Sequence, residues 1–429
     1  MLRPTDTRVS RDLTVDDVEF KSLYQKMEYE ARTEDGWTLI LTRYQPVPRD
    51  FFQPIFGEPL LLVHGASQNR HAWTSGQFVK NLLFFGADIH ILELRGHGKS
   101  SIELQRRRAR SSGERPPADI DYGWDIDSYF LQDLPAAVAA MKAITGREKI
   151  FFCGHSMGGM LGYGHAGLHD DFEGIATIGA SSELGRGFPI LKLLAQGEPF
   201  FAAAIDGALA AYNLQERLRF RARRLGSRSL RRLGAEPWAQ KIEPLRAAPR
   251  PLVFQSFPVD DLLHWADSTF APRNYERFRT WSAFLTILAN PSRATSDDVR
   301  WLMRHGVERE PRKVVAQFAR WIRRDELVCY RAGYDFRKGF SRITVPMAII
   351  FGDLDKLASM RSTAGIYRAA QSEYLLWRPV KGNSHLELTM GHDIRQICYD
   401  IKNLIDFAVQ HRGKRPSLPR LEQHESPRR

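Results

Sequence analysis

Phe151-Phe152-Cys153-Gly154-His155-Ser156-Met157-Gly158-Gly159 is the stretch that decides the fold. An apolar run, 149–153, leads into a Gly-x-Ser-x-Gly pentad, and residues 157–168 then suit a helix. The pentad alone is a common pattern. A strand before it and a helix after it make it specific. In a sharp strand-to-helix turn the residues flanking the serine must be small, which Gly154 and Gly158 supply. Such a turn lifts the Ser156 hydroxyl to the carboxyl edge of a sheet. It also aims the amides of the following helix at the same spot, where an oxyanion can be held.

Short apolar runs on either side have the length and composition of strands buried on both faces, as in a parallel sheet. They cover 60–63, 88–93, 149–153, 174–178, 346–351 and 374–377, and two further strands, 26–32 and 37–44, flank the turn Glu34-Asp35-Gly36. Helical patterns fall between them at 73–84, at 127–144 (opening with Asp127 and Ser128), at 157–168 and at 393–409. Ile394, Ile397, Ile401, Leu404 and Ile405 keep helical spacing in the last of these. Strand–helix alternation of this kind predicts a doubly wound α/β core with a mainly parallel sheet.

The alternation fails over 184–340, too long for a plain connection. Its pattern is mainly helical, for example 200–214 and 281–288, so it reads as an inserted helical cap. The resulting division is an N-terminal arm over 1–25, a core over 26–183 and 341–412, the cap over 184–340, and a disordered tail over 413–429. A smaller insertion at 101–124, with Arg106-Arg107-Arg108 and Ser111-Ser112-Gly113, reads as solvated and mobile.

A serine nucleophile needs a base, and the base needs a third group to hold its tautomer. Lys381-Gly382-Asn383-Ser384-His385 follows the strand at 374–377, and Gly352-Asp353-Leu354-Asp355 follows the strand at 346–351. Both loops fall at the carboxyl edge, where open α/β sheets place their sites. His385 is the expected base and Asp355 the expected acid. Asp353 is the rival acid, with a turn-shaping role as its other reading. Glu387 and His392 lie further from the strand end. His392 and Asp393 suit the capping region of the last helix. His64-Gly65-Ala66 ends the strand at 60–63, where a second oxyanion donor belongs. The backbone N–H groups of Ala66 and Met157 are the expected oxyanion hole, lined by Ser67 and Gln68, with His64 structural.

With these residues in view, the chain resembles the α/β-hydrolase superfamily, and within it the acid lipase-like branch that includes gastric and lysosomal lipases. Glu30-Ala31-Arg32-Thr33-Glu34-Asp35-Gly36, the helix 127–142 leading into Thr145-Gly146-Arg147, and the Asp355 and His385 loops carry the resemblance. It implies the α/β-hydrolase fold and a carboxylic-ester hydrolase acting on neutral lipids or other apolar esters, without metal or organic cofactor. Met157 follows the serine where the branch commonly has Gln, and 184–340 has no match. An acyltransferase, thioesterase or amidase would use the same residues, and a non-catalytic hydrolase-fold binding protein is a further alternative.

Arg217, Arg219, Arg221, Arg223, Arg224, Arg228, Arg231 and Arg232 interleave with Leu214, Leu218, Leu225 and Leu230. One reading is a basic amphipathic helix in peripheral contact with an anionic membrane; the other is a solvated, salt-bridged face. The net charge of +12 is compatible with both. No nucleic-acid recognition motif accompanies the arginines. Apolar residues in 187–212 are interrupted by Lys192, Gln196, Glu198, Pro199 and Asp206, well short of the roughly 18-residue run a spanning helix needs. Cys153, Cys329 and Cys398 form no CxxC pair and no zinc spacing, which fits a reducing compartment. No apolar signal segment is read at the N-terminus. The expectation is a cytoplasmic protein, peripheral to membrane if the arginines meet lipid.

Overall fold

The computed structural model describes residues 13–242, 251–261, 288–290 and 292–413. Tyr24–Arg32 (β1) and Thr38–Pro46 (β2) form an antiparallel hairpin. Pro59–Val63 (β3), Asp88–Glu93 (β4), Ile150–His155 (β5), Phe172–Ile178 (β6), Met347–Gly352 (β7) and Leu375–Val380 (β8) run parallel to one another. The spatial order is β1-β2-β4-β3-β5-β6-β7-β8, with β2 antiparallel to β4. Every residue of β3, β4, β5 and β7 is buried. The reason is visible in β3: Leu60 and Leu62 join the core on one face of the sheet, Leu61 and Val63 the core on the other. A strand covered on both sides favours apolar residues throughout, and the polar ones that do occur are paired, as Asp88 with Arg43 and Glu93 with Arg70 in β4.

Phe78–Phe84 (α1) and the last helix cover one face. The expected 73–84 helix is split, with His71–Thr74 as a separate turn before Ser75 and Gly76, both poor helix formers. The segment 101–124 holds a real helix, Ile102–Ser112 (α2), capped by Ser101 Oγ accepting from Leu104 N at 3.1 Å. Gln105 is buried there: Thr38 N donates to its Oε1 and its Nε2 donates to Thr38 O, both at 2.9 Å. Its arginines Arg106 and Arg107 are exposed, as expected of a solvated face. The 127–144 helix begins one residue earlier, on an Asp125 cap, passes through a π-type turn at Tyr129–Asp133, and continues as Leu134–Thr145 (α3). Pro135 sits just past that turn and has no N–H for the regular ladder. Met157–Ala166 (α4) packs on the same face of the sheet as α3.

Between β6 and β7 lies the inserted helical cap. Its largest element is Pro189–Arg232 (α5), 44 residues long. The helix expected over 200–214 is thus part of a far longer one that includes the arginine run. Pro199 cannot donate to the carbonyl of Ala195 four residues back, and Arg323 Nη1 donates to that carbonyl instead, at 2.5 Å. Ser296–His305 (α6) and Arg312–Arg324 (α7) follow. Gln317 in α7 fastens the cap to the core: it accepts from Ile126 N at 3.0 Å and donates to Asp127 Oδ1 at 2.6 Å. Asp127, in the first turn of its helix as expected, is also buried in this junction. The helix expected over 281–288 falls almost wholly outside the described residues, as do residues 1–12 of the arm and the tail from 414.

Met360–Ala369 (α8) and Ile394–Gln410 (α9) complete the chain as described. Cys153, Cys329 and Cys398 are free and buried. Past β4, the fully buried Arg95 donates to Asp133 Oδ1 at 2.7 Å and to Asp35 Oδ2 at 2.6 Å, and holds Asp119 at 3.0 Å.

Candidate functional site

β5 ends at His155, and α4 begins at Met157. Ser156 between them has φ 53° and ψ −120°. This left-handed region is costly for a residue with a Cβ, and such strain persists only where the surroundings impose it. Here they do. A Cβ on Gly158 would stand 2.3 Å from Val63 O, and one on Gly154 would stand 2.4 Å from Gly158 C. The turn is therefore wedged between β3 and its own helix with no space for larger residues. Ser156 is half-buried, and its N–H donates to Ile178 O at 2.8 Å.

Asp355 and His385 lie on the loops after β7 and β8. His385 Nδ1 is 2.7 Å from Asp355 Oδ2, and both residues are buried. Asp355 Oδ1 accepts the N–H groups of Leu357 and Ala358, each at 2.8 Å, so the carboxylate is locked in place. Burial pulls the pKa of His385 down, but Asp355 outweighs it and the net shift is upward. Asp353 points elsewhere. It is exposed and accepts Gly382 N at 2.7 Å, shaping the turn that leads to His385. Gly179, just past β6, has φ +57°, and a Cβ there would meet His385 Nδ1 at 3.1 Å and Asp355 Oδ2 at 3.3 Å. The Asp–His pair is thus pressed against the strand end that holds Ser156 N–H. His155 is the link from the elbow: its ring centroid is 4.8 Å from that of His385. Burial, with His385 close by, pushes the His155 pKa well below the ordinary histidine value, so its ring is neutral.

The turn after β3 closes the site from the other side. A Cβ on Gly65 would be 3.0 Å from Ser156 Cβ. Gln68 Oε1 accepts Gly65 N at 3.0 Å and lies 3.0 Å from His155 Nδ1, tying the turn to the elbow. Among the described residues, the N–H groups of Ala66 and Met157 donate to nothing, whereas Ser67 N–H is taken by Glu310. His64 is fully buried with Nε2 accepting Leu94 N at 3.2 Å, and burial and His97 lower its pKa to about 3. It is a neutral brace for the turn.

Glu387 is buried and holds Ser384 N and, at 2.9 Å, Asn290 N. Asp393 is the N-cap residue of α9, as expected, though its side chain accepts Asn383 Nδ2 at 2.6 Å and no helix N–H.

Sequence reasoning missed what the cap contributes. Ser67, itself at φ 55°, donates its N–H and, at 3.1 Å, its hydroxyl to Glu310 Oε2. Glu308 N donates to Ser67 O at 2.9 Å, and Glu308 Oε1 accepts Asn69 Nδ2 at 2.7 Å and Gly98 N at 3.0 Å. On the opposite side, Leu288 O accepts His385 N at 3.1 Å and Leu386 N at 2.9 Å. Two pieces of the cap therefore brace the two loops that flank Ser156.

A family model described as the alpha/beta hydrolase fold matches residues 58–385. The chain belongs to the alpha/beta-hydrolase fold family. Among similar curated proteins, human lipase member M is 29% identical over 143 residues, which is 33% of this alpha/beta-hydrolase chain and 32% of that protein. Human lysosomal acid lipase/cholesteryl ester hydrolase is 26% identical over 137 residues, 32% and 33% of the two chains. The chain thus matches about a third of the length of these relatives. The solved structure of DcsB in complex with its substrate analogue is similar in fold, with a TM-score of 0.50 at 11% identity over 90% of this chain and 100% of that one.

Proposed function

We propose that the protein is a serine carboxylic-ester hydrolase of the acid lipase-like kind, acting on lipid-like or other apolar esters. One observation carries the reading. A serine held at positive φ by a wedged turn shares the carboxyl edge of the sheet with a buried Asp355–His385 pair 2.7 Å apart. Strain of this kind clusters at active sites, and at Ser156 it coincides with the buried Asp–His pair. The lipases among the relatives support the substrate class.

Asp355 fixes the Nδ1–H tautomer of His385 and leaves Nε2 to act as base. His385 takes the Ser156 proton as Oγ attacks the ester carbonyl. The N–H groups of Ala66 and Met157 hold the oxyanion. The alcohol leaves with the proton from His385. Water then attacks the acyl-enzyme with His385 again as base, releasing the acid and restoring Ser156. The cap over 184–340 serves as the acyl-side wall, and the core over 26–183 and 341–412 carries the chemistry.

The test is a fluorophosphonate probe on the folded protein and on Ser156→Ala, followed by p-nitrophenyl esters of increasing acyl length. Labelling should vanish with Ser156, and hydrolysis should favour medium to long chains. Labelling that survives the substitution would remove Ser156 as nucleophile. A preference for acetate would remove the lipid-like substrate.

A further inference from the structure

The side of α5 that faces the protein is defined by its contacts. Asp206 accepts from Arg312 through both oxygens at 2.7 Å, Glu198 lies 3.5 Å from Arg323, and Ala195 and Ala202 are buried. Leu193, Phe200, Leu214, Leu218 and Leu225 lie on the other side. Their intervals of four, seven and fourteen residues return to one helix face. These side chains are 66%, 80%, 58%, 54% and 63% exposed. Small residues, Ala204, Gly207 and Ala211, fill the same stripe between them. An apolar ridge of this length on a soluble surface marks something that covers it.

The flanks say what. From Arg217 onward, Arg221 and Arg228 edge the ridge on one side, with Arg224 beyond them, and Arg219 lies on the other side, all exposed. Glu216 is the one acidic residue in 207–232, against eight arginines. A second copy laid parallel on this ridge would bring arginine flank against arginine flank, a repulsive arrangement, and laid antiparallel its arginines would meet a half whose acidic residues, Glu198 and Asp206, are already paired with Arg323 and Arg312. A bilayer rich in anionic headgroups offers the complementary charge together with an apolar interior. No helix among the described residues is long and apolar enough to cross a membrane, so the geometry is that of a helix lying in the interface.

We propose that α5 docks the protein onto anionic lipid through the Leu193–Leu225 ridge, with its arginines on the headgroups. The proposal concerns a surface apart from the Ser156 site and stands independently of the chemistry assigned there.

The experiment is sedimentation of the full chain with vesicles of phosphatidylcholine alone and of phosphatidylcholine with phosphatidylglycerol, at low and high salt. Binding should favour the anionic vesicles by at least about tenfold and weaken with salt. Leu218→Asp with Leu225→Asp should abolish it, and so should Arg221→Glu with Arg224→Glu and Arg228→Glu, both with an unchanged far-ultraviolet dichroism spectrum. Ser156→Ala should bind as the parent does. Equal binding to both vesicle types, no binding, or a solution dimer that Leu218→Asp dissociates would each overturn the proposal.

Discussion

Glu310 in the cap accepts both the backbone N–H and the hydroxyl of Ser67, 243 positions earlier in the chain. Ser67 follows Ala66 directly, so this one carboxylate sets the orientation of the proposed oxyanion donor. Tyr129 and His97 close around the same carboxylate, Tyr129 Oη donating at 3.3 Å and His97 Nε2 standing 3.7 Å away. Burial lowers the His97 pKa, but Glu310 raises it by more, leaving a net upward shift. Glu310→Ala should therefore lower kcat by roughly tenfold to a hundredfold, less than deleting an oxyanion donor outright, with KM nearly unchanged. Glu310→Gln keeps an acceptor for Ser67 N–H and should recover much of the loss. Steady-state kinetics on a soluble ester, alongside a melting curve, separates this positioning effect from general destabilisation. A rise in KM with kcat intact would contradict it.

The two aspartates after β7 should differ sharply. Asp355→Asn removes the acceptor that fixes the His385 tautomer and should cost about 10⁴-fold in kcat. Asp353→Asn keeps an amide oxygen that can still accept Gly382 N and should stay within about tenfold of the parent. Comparable losses in the two variants, measured with one ester, would reopen the assignment of the acid.

The pH profile follows from the sign of the His385 shift. A protonated His385 cannot take the serine proton, so kcat/KM falls as pH drops through its pKa. That pKa is raised, chiefly because Asp355 outweighs burial, so the acid limb should be centred above the ordinary histidine value of about 6.5. Asp355→Asn should move the residual activity's limb to lower pH. An acid limb centred below about 6 in the parent enzyme would contradict the shift.

Arg95 is a stability residue. Arg95→Met would leave Asp133, wholly buried, without its cation, and should destabilise the fold by about 3–5 kcal/mol. Adding Asp133→Leu should recover part of that. Urea unfolding of the single and double variants measures both, and a harmless Arg95→Met would show that Asp133 does not remain a buried, unpaired charge.

The sheet and the loops at its carboxyl edge were legible for one physical reason. A strand buried on both faces, such as Leu60-Leu61-Leu62-Val63, tends to a near-continuous apolar run, and its end is announced by polar or small residues such as His64-Gly65. Ser156, Asp355 and His385 all follow such ends, so their loops could be placed without knowing the fold in detail. Glu310 carried no such signal. It sits among charged neighbours in Glu308-Arg309-Glu310, and its burial depends on a contact with residue 67 that no local period encodes. Gln105 was hidden for the same reason, a polar residue within an arginine-rich stretch that turns out to satisfy both backbone groups of Thr38. The full length of α5 was obscured by Pro199. What tolerates that proline is Arg323 on another helix, a tertiary compensation absent from the local pattern.

The burial of Cys153, Cys329 and Cys398 has a practical consequence. Burial pushes all three thiols up, Cys329 to about 11, so none is an effective nucleophile near neutral pH. The folded chain is thus a silent background for maleimide chemistry without any cysteine being removed. A single Leu218→Cys substitution gives a reporter attached where lipid is proposed to sit. A spin label there would read immersion depth directly, in a protein otherwise unaltered.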